Sequence, residues 1–395
     1  MKHNIPLFKV YMAKKASKAA TKVLESGFIG QGERVDEFEN NLKEFFENDY
    51  VVSVNSATSA EHLALHLLKK KSINTKTYLG SVQHVSNWGG LLDGDEVLAT
   101  PLTCTATNFP ILANNLNIKW VDIDPKTLNM DLDDLSRKIT SKTKIIFLVH
   151  WGGYPMDLDR LKEIQDSAFR NFGFKPVIIE DCAHALGSKF KGRLLGNHGN
   201  ICTFSFQAIK HLTSVDGGLL VLPHKNLYQR AKLLRWYGID RESDRKDFRC
   251  EADIPEWGFK FHMNDVSASI GNENLKEVQK EVIDKHKSNG RYYDQELKDV
   301  KGVTLLERDD RMESSYWIYS ILVDDKEKFA EYMKSCGIAT SQVHERNDMH
   351  SCLAEFRSDL PNLNKIKNRL TSIPVGWWVT EEQREYIVEC IKKGW

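Results

Sequence analysis

A chain of 395 residues with 55 Lys+Arg against 55 Asp+Glu carries no formal net charge, which excludes a protein built to bind polyanions over its whole surface. Its 41% hydrophobic content and nine tryptophans exclude a disordered chain, and the length is large for one core and suggests two domains or one large domain with a lobe. No apolar run approaches membrane-spanning length, no apolar stretch follows the basic residues of Met1–Val10, and the seven cysteines are scattered without CxxC pairs, so we expect no signal peptide, membrane span, disulfide framework or zinc site, and a reducing, cytosolic location.

The predicted elements begin with a strand over Tyr50–Val54. A helix follows, with Asn55 or Ser56 as N-cap, because Ala60, Leu63, Ala64, Leu67 and Leu68 fall on one face at helical spacing. Residues 69–92, with Lys69-Lys70-Lys71, Gly80, Gly89 and Gly90, break the rhythm and read as an extended surface loop; a tolerated insertion is the plainer reading than a flap or a dimer contact. Strands are then expected at Glu96–Ala99, Lys119–Ile123, Lys144–His150, Pro176–Asp181, Ile201–Ser205 and Leu219–Leu222. Spaced apolar runs with helical material between them predict an α/β domain with a mostly parallel sheet, over residues 1–250. Beyond about residue 250, helical segments (Asn264–Lys298, Lys326–Cys336, Thr380–Lys393) flank strands such as Tyr316–Val323, which suggests a smaller α+β C-terminal domain over 251–395. No internal repeat is evident.

The chemistry centres on Lys210, in a polar turn between the apolar runs Ile201–Phe206 and Gly217–Leu222. A lysine that forms an imine must be lightly hydrated so that its free amine is populated, and the apolar flanks Ile209 and Leu212 suit that. Ser205, at a strand end, offers a hydroxyl to a phosphate. Asp181 closes the strand Val177-Ile178-Ile179-Glu180-Asp181 at its C-terminal edge, where α/β folds hold ligands. Such a carboxylate can keep a pyridine nitrogen protonated; a strand-end cap is the ordinary alternative. His184 suits either a contact to the cofactor's phenolic oxygen or plain packing. The hydroxyl-rich segment Asn55–Ala60 opens a helix, where free N–H groups bind phosphate, although simple capping explains the same residues. An imine-forming lysine with a ring-nitrogen carboxylate is the minimum equipment for pyridoxal phosphate (PLP) chemistry.

Read together, the chain resembles the DegT/StrS sugar aminotransferases over nearly its whole length. The residues that carry the resemblance are Gly27-Phe28-Ile29-Gly30-Gln31-Gly32 with Phe38-Glu39, Ser56-Ala57-Thr58, Gly94-Asp95-Glu96-Val97, Asp122-Ile123-Asp124, His150-Trp151-Gly152-Gly153, Glu180-Asp181-Cys182-Ala183-His184-Ala185, and Ser205 to Lys210 followed by Gly217-Gly218. The resemblance implies the fold type I, aspartate aminotransferase-like architecture. It implies that Lys210 forms the Schiff base and shuttles the proton, Asp181 pairs with the ring nitrogen, Ala57, Thr58 and Ser205 hold the phosphate, and His184 meets the ring oxygen. It further implies homodimers with shared active sites that move an amino group from L-glutamate, leaving 2-oxoglutarate, to a nucleotide-linked keto sugar. A 4-keto-6-deoxy sugar and a perosamine-type product are the specific expectation, with no nucleic-acid or membrane partner.

Three departures stand out. Cys104 occupies the place of an aromatic that stacks on the cofactor ring in the family. In Gly258-Phe259-Lys260-Phe261-His262-Met263, Lys260 replaces an asparagine that reaches the neighbouring subunit's phosphate. The insertion at 69–92 is the third. Phe28, Ile29 and Gln31 lie in a turn the family places near the sugar. Arg235, His344, Arg346 and His350 are candidates for a diphosphate or hydroxyls, with surface charge the default for each. Trp151, Trp377 and Trp378 suit core packing better than stacking on a base. Two alternatives remain: a sugar 3-dehydratase of the same group, in which histidine replaces the lysine and for which His211 is the residue to watch, and a non-catalytic member of the fold. Alignment of Ser205 with Gly217-Gly218 puts Lys210, not His211, at the decisive position.

Overall fold

The computed structural model describes residues 4–69, 89–242 and 253–395; most of the expected loop, 70–88, lies outside the described residues. The strands β1 (Val51–Val54), β2 (Glu96–Ala99), β3 (Asn117–Trp120), β4 (Thr143–Val149), β5 (Val177–Asp181), β6 (Lys189–Phe190), β7 (Arg193–Leu194), β8 (Ile201–Ser205) and β9 (Gly218–Val221) succeed one another through the first part of the chain. Seven form one sheet in the order β1-β9-β8-β5-β4-β2-β3. Only β9 runs against its neighbours; the pairs β2–β3, β2–β4, β4–β5 and β5–β8 are all parallel. Both faces are covered, so β4 and β5 are near-continuous apolar runs rather than alternating ones.

The covering helices are α1 (Ala16–Ser26), α2 (Glu33–Phe46), α3 (Ala57–Leu67), α4 (Thr105–Ala113), α5 (Leu132–Lys138), α6 (Leu158–Phe172) and α7 (Lys225–Leu234). α3 buries Ala60, Leu63, Ala64 and Leu67 against Val52, Val54 and Leu220 on one face of the sheet. On the other face α2 lays Val35, Phe38, Leu42 and Phe46 over Val51, Phe204 and Val221. The alternation of Val51 with Val52 and Val54 is the two-residue period of a strand that serves two cores.

After these come α8 (Asp265–Glu277) and α9 (Asp284–Glu296), joined by a wider π-type turn over Val278–Ile283, where the sequence suggests one unbroken helix. The remaining elements are β10 (Val303–Leu305), β11 (Met312–Glu313), β12 (Tyr319–Val323), α10 (Lys326–Ser335), α11 (Pro361–Ile366), β13 (Leu370–Ile373) and α12 (Glu381–Lys393). The antiparallel sheet β10-β12-β13 shares a core with α9, α10 and α12 through Tyr293, Ile321, Phe329, Ile373 and Ile391. Packing also crosses residue 250: α8 sets Ala268 into the α2 core, and Trp317 and Ile318 enter the core of α3.

Two predicted strands end early or begin late for local reasons. Pairing of β3 stops at Trp120 because Asp122 turns its carboxylate to the N–H groups of Ile123, Asn362 (2.7 Å) and Leu363 (3.0 Å), which caps α11. The run from Tyr316 pairs only from Tyr319, since Tyr316 adopts a left-handed backbone (φ 50°) and Trp317 is committed elsewhere. Among the described residues no helix is long and apolar enough to cross a membrane, and the six described cysteines are free.

Candidate active site

Asp181 ends β5 on the same face as Val177 and Ile179, toward α3 and α4. It is 4% exposed and accepts hydrogen bonds from Thr107 Oγ1 (2.7 Å) and the N–H of Ala183 (2.8 Å). Its neighbour Glu180 faces the other way, where His150 (2.8 Å) and Asn200 (2.6 Å) hold it. Alternation along one strand therefore gives one carboxylate to the core and one to the site.

Lys210 lies in the connection from β8 to β9. Its N–H donates to Gln207 (3.0 Å), and Trp317 Nε1 donates to the Ile209 carbonyl (3.0 Å), which fixes the loop. The Lys210 amine sits 3.6 Å from the Trp317 ring centroid; among the described residues no carboxylate is within ion-pair distance of it. Desolvation pushes the amine down to about 8, with Asp181 opposing the fall. A lysine in such surroundings keeps a useful fraction of free amine near neutrality.

His184 is buried and stacks on Trp317 (4.0 Å, 18°), and His344 lies parallel to it (5.3 Å, 2°) with Nε2 to Nε2 at 3.3 Å. Burial, then the nearby lysine charge, holds His184 well below the usual imidazole range and His344 at about 4. Both rings are therefore neutral near pH 7, so one donates and the other accepts across the 3.3 Å contact. His184 Nδ1 has no partner among the described residues.

The start of α3 supplies the third part. Ser56 caps it by accepting from the N–H of Ser59 (3.1 Å), which leaves the N–H groups of Ala57 and Thr58 without an acceptor among the described residues. Gly218 lets the helix begin this close to β9: a Cβ there would come within 2.4 Å of the Ser56 carbonyl carbon and 2.5 Å of the Ala57 nitrogen. Ser205, at the end of β8, has its Oγ 3.3 Å from the N–H of Gln207. Asn55 donates its N–H to Phe261 (2.7 Å) and its side-chain amide to the carbonyl of Lys260 (3.2 Å), tying the segment 258–263 to this seat. Phe259 and Phe261 stack on each other (4.6 Å, 5°) and pack on His62 of α3, while Lys260 between them is exposed.

Residues 10–392 match the family model of the DegT/DnrJ/EryC1/StrS aminotransferases. The chain belongs to that family. It is similar to AtS13 from Actinomadura melliaura, whose crystal structure is 49% identical with a TM-score of 0.91 over 100% of this chain and 99% of that one. The sugar aminotransferase CalS13 from Micromonospora echinospora is 44% identical, TM-score 0.90, over 99% and 100% of the two chains. The GDP-perosamine synthase of Escherichia coli O157:H7 is 29% identical over 399 residues, 98% of each chain. The protein is thus a PLP-dependent sugar aminotransferase of the fold type I architecture.

The residues present fit PLP. Free N–H groups at a helix start and the Ser205 hydroxyl suit a phosphate, a buried acceptor-rich Asp181 suits a ring N–H, and an amine without an ion-pair partner suits an aldehyde. Cys104, exposed at the N-cap of α4, lies near Lys210 and Glu61.

Of the expected substrate residues, the structure of this aminotransferase brings only His344 to Lys210. Phe28 (84% exposed) and Ile29 lie in a turn beside a groove of about 1110 Å³ whose walls include Phe28 and Gln31 but neither Lys210 nor Asp181. Arg235 does not suit a diphosphate. It is 2% exposed, with its guanidinium against Glu39 and the Ser53 carbonyl (2.8 Å). Arg346 is likewise internal, paired with Asp348 (2.6 Å). Trp151 donates to Ser320 (3.1 Å) within the core, and Trp377 and Trp378 donate to the backbone of Lys9 and Pro6. Sequence reasoning missed Thr107, Trp317 and Glu61. Glu61 had a signal: α3 is apolar over most of its surface, so an acid in its second turn has little choice but to be buried.

Proposed function

We propose that Lys210 and Asp181 are the catalytic pair of this aminotransferase, that L-glutamate is the donor, and that the acceptor is the keto group of a nucleotide-linked sugar, a 4-keto-6-deoxyhexose in particular. One observation carries the reading: the Lys210 amine stands free of any ion pair and is held at about 8, in the same site as the firmly bonded carboxylate of Asp181. Bound here, PLP supplies an aldehyde to take up the amino group and a protonated ring to spread electron density released at the substrate carbon. Asp181 holds the proton on the ring nitrogen. Lys210 Nζ takes the proton from the substrate carbon and returns it, for which an amine that titrates near the working pH is suited. Ala57, Thr58 and Ser205 bind the phosphate, and neutral His184 meets the ring oxygen.

The likeness to the sugar aminotransferase CalS13 and to the GDP-perosamine synthase supports a sugar acceptor, and the second supports a nucleotide-linked one. A homodimer with shared sites and a cytosolic setting belong to the same reading; the exposed Lys260, tied by its backbone to the phosphate seat, is the residue expected to reach the partner's site. His211 does not favour a dehydratase, because it is buried with Nε2 against the Ser315 carbonyl (3.1 Å) and its ring edge-on to His286.

The test uses the purified holoenzyme. L-glutamate should bleach the visible absorption of the bound coenzyme, and one member of a panel of nucleotide-linked keto sugars should restore it and gain nitrogen by mass spectrometry. A coenzyme indifferent to glutamate but bleached by another amino acid would remove the donor assignment. Amination of free sugars alone would remove the nucleotide.

A further inference from the structure

Glu61, in the second turn of α3, is 1% exposed, and its Oε2 has no hydrogen-bond partner among the described residues. The other buried acids are provided for: Glu39 has Arg235 and Ser53, Glu180 has His150 and Asn200, and Asp134 has Lys138 and the N–H of Asp122. Glu61 faces Asp181, within hydrogen-bonding reach, together with Cys104 and Lys210. Two carboxyl groups in contact and buried from water do not both ionise, so the pair holds one proton. Asp181 already accepts from Thr107 and Ala183, and both donors favour its anion. Among the described residues Glu61 has no donor of its own, so the proton resides on Glu61. Burial, then the Asp181 charge, pushes the Glu61 carboxyl well above the usual range, while Lys210 opposes this more weakly.

We propose that Glu61 is a neutral carboxylic acid that donates its O–H to Asp181 and thereby positions the carboxylate that receives the coenzyme's ring nitrogen. It is a positioning residue, and the inference rests on the assignment of Asp181 made above. With Thr107, Ala183 and Glu61 all donating, Asp181 is held in one orientation, with its remaining lone pairs for the ring N–H.

The experiment compares Glu61→Gln, Glu61→Leu and Asp181→Asn with wild type. It reads the melting temperature of each apoprotein, the dissociation constant for PLP, and the pH midpoint of the bound coenzyme's absorption. Glutamine keeps a donor, so its affinity should stay within about threefold and its midpoint near wild type. Leucine removes the donor and should weaken PLP binding about tenfold or more and move the midpoint. Its apoprotein should melt no lower than wild type, because an unpaired buried acid is relieved. Glu61→Met replaces it should the leucine variant not fold. The inference is overturned if glutamine binds PLP as poorly as leucine, which would mean that charge matters, or if leucine lowers the melting temperature and leaves PLP affinity alone. Should Asp181→Asn alone weaken binding, only Glu61 loses its role. Should Asp181→Asn also bind PLP as wild type does, the catalytic-pair assignment fails and this inference with it.

Discussion

Glu39 and Arg235 bury a carboxylate and a guanidinium against β1, and Ser53 completes the arrangement: Glu39 accepts from the Ser53 N–H (2.9 Å) and hydroxyl (2.8 Å), while Arg235 donates to the Ser53 carbonyl. Around Asp181 the same sheet buries charge on another plan. There, among the described residues, the Lys210 amine has an aromatic face in place of a carboxylate, Glu61 keeps an oxygen without a donor, and His184 keeps a nitrogen without a partner. A buried polar group that lacks a partner costs of order 1–3 kcal/mol, so a fold tolerates several together only where a ligand completes them. The first cluster is architecture and the second is a site, and the difference lies in which donors and acceptors are left over rather than in how much charge is buried.

The contrast can be broken by swapping its consequences. Lys210→Ala should lower turnover by about a thousandfold or more without lowering the melting temperature of the apoprotein. Turnover at the wild-type rate would show that the amine is a bystander. Glu39→Ala should do the reverse. It strands a buried guanidinium and should cost about 3–5 kcal/mol of stability in chemical denaturation, with PLP still bound by the folded fraction. If it melts like wild type, the pair is not the structural element described here.

Acidity sharpens the contrast further. The Lys210 amine, lowered from 10.5 to about 8, is protonated below that pH and free above it. Capture of PLP by the apoprotein should therefore quicken with rising pH and level off above about 8. Near pH 6 it should be about a hundredfold slower than the plateau, since the free fraction falls tenfold per pH unit. Stopped-flow absorbance reads this directly, and a flat profile would show that no such amine is rate-determining. The smallest effect belongs to a remote cap. Thr380 accepts from Gln383 at the start of α12, and Gln383 reciprocates. Thr380→Ala should cost about 1 kcal/mol of stability and leave kinetics untouched.

What could be read in the sequence follows from where the information is stored. Strand ends, the Ser56 cap and the lysine between two apolar runs are local patterns, and β2 and β8 lie where expected. The roles of Arg235 and Glu61 are set by partners far along the chain. Arg235 closes α7, where an arginine is ordinarily solvated, and only the approach of α2 buries it. Trp317 resembles any core tryptophan until the turn at Tyr316 swings it beneath Lys210. The strand predicted over Lys119–Ile123 shifted because Asp122 answers to α11, about 240 residues away.

Gly218 carries a consequence for how this enzyme tolerates change. Adding one methyl group there would push apart two backbones that now touch, and the displaced piece would be the end of α3 proposed to receive the phosphate. Variants at this position should thus form a class of their own, with the protein still made and folded yet dependent on far more vitamin B6 in the medium. A single missing carbon atom couples β9, inside the sheet, to how firmly the enzyme keeps its coenzyme.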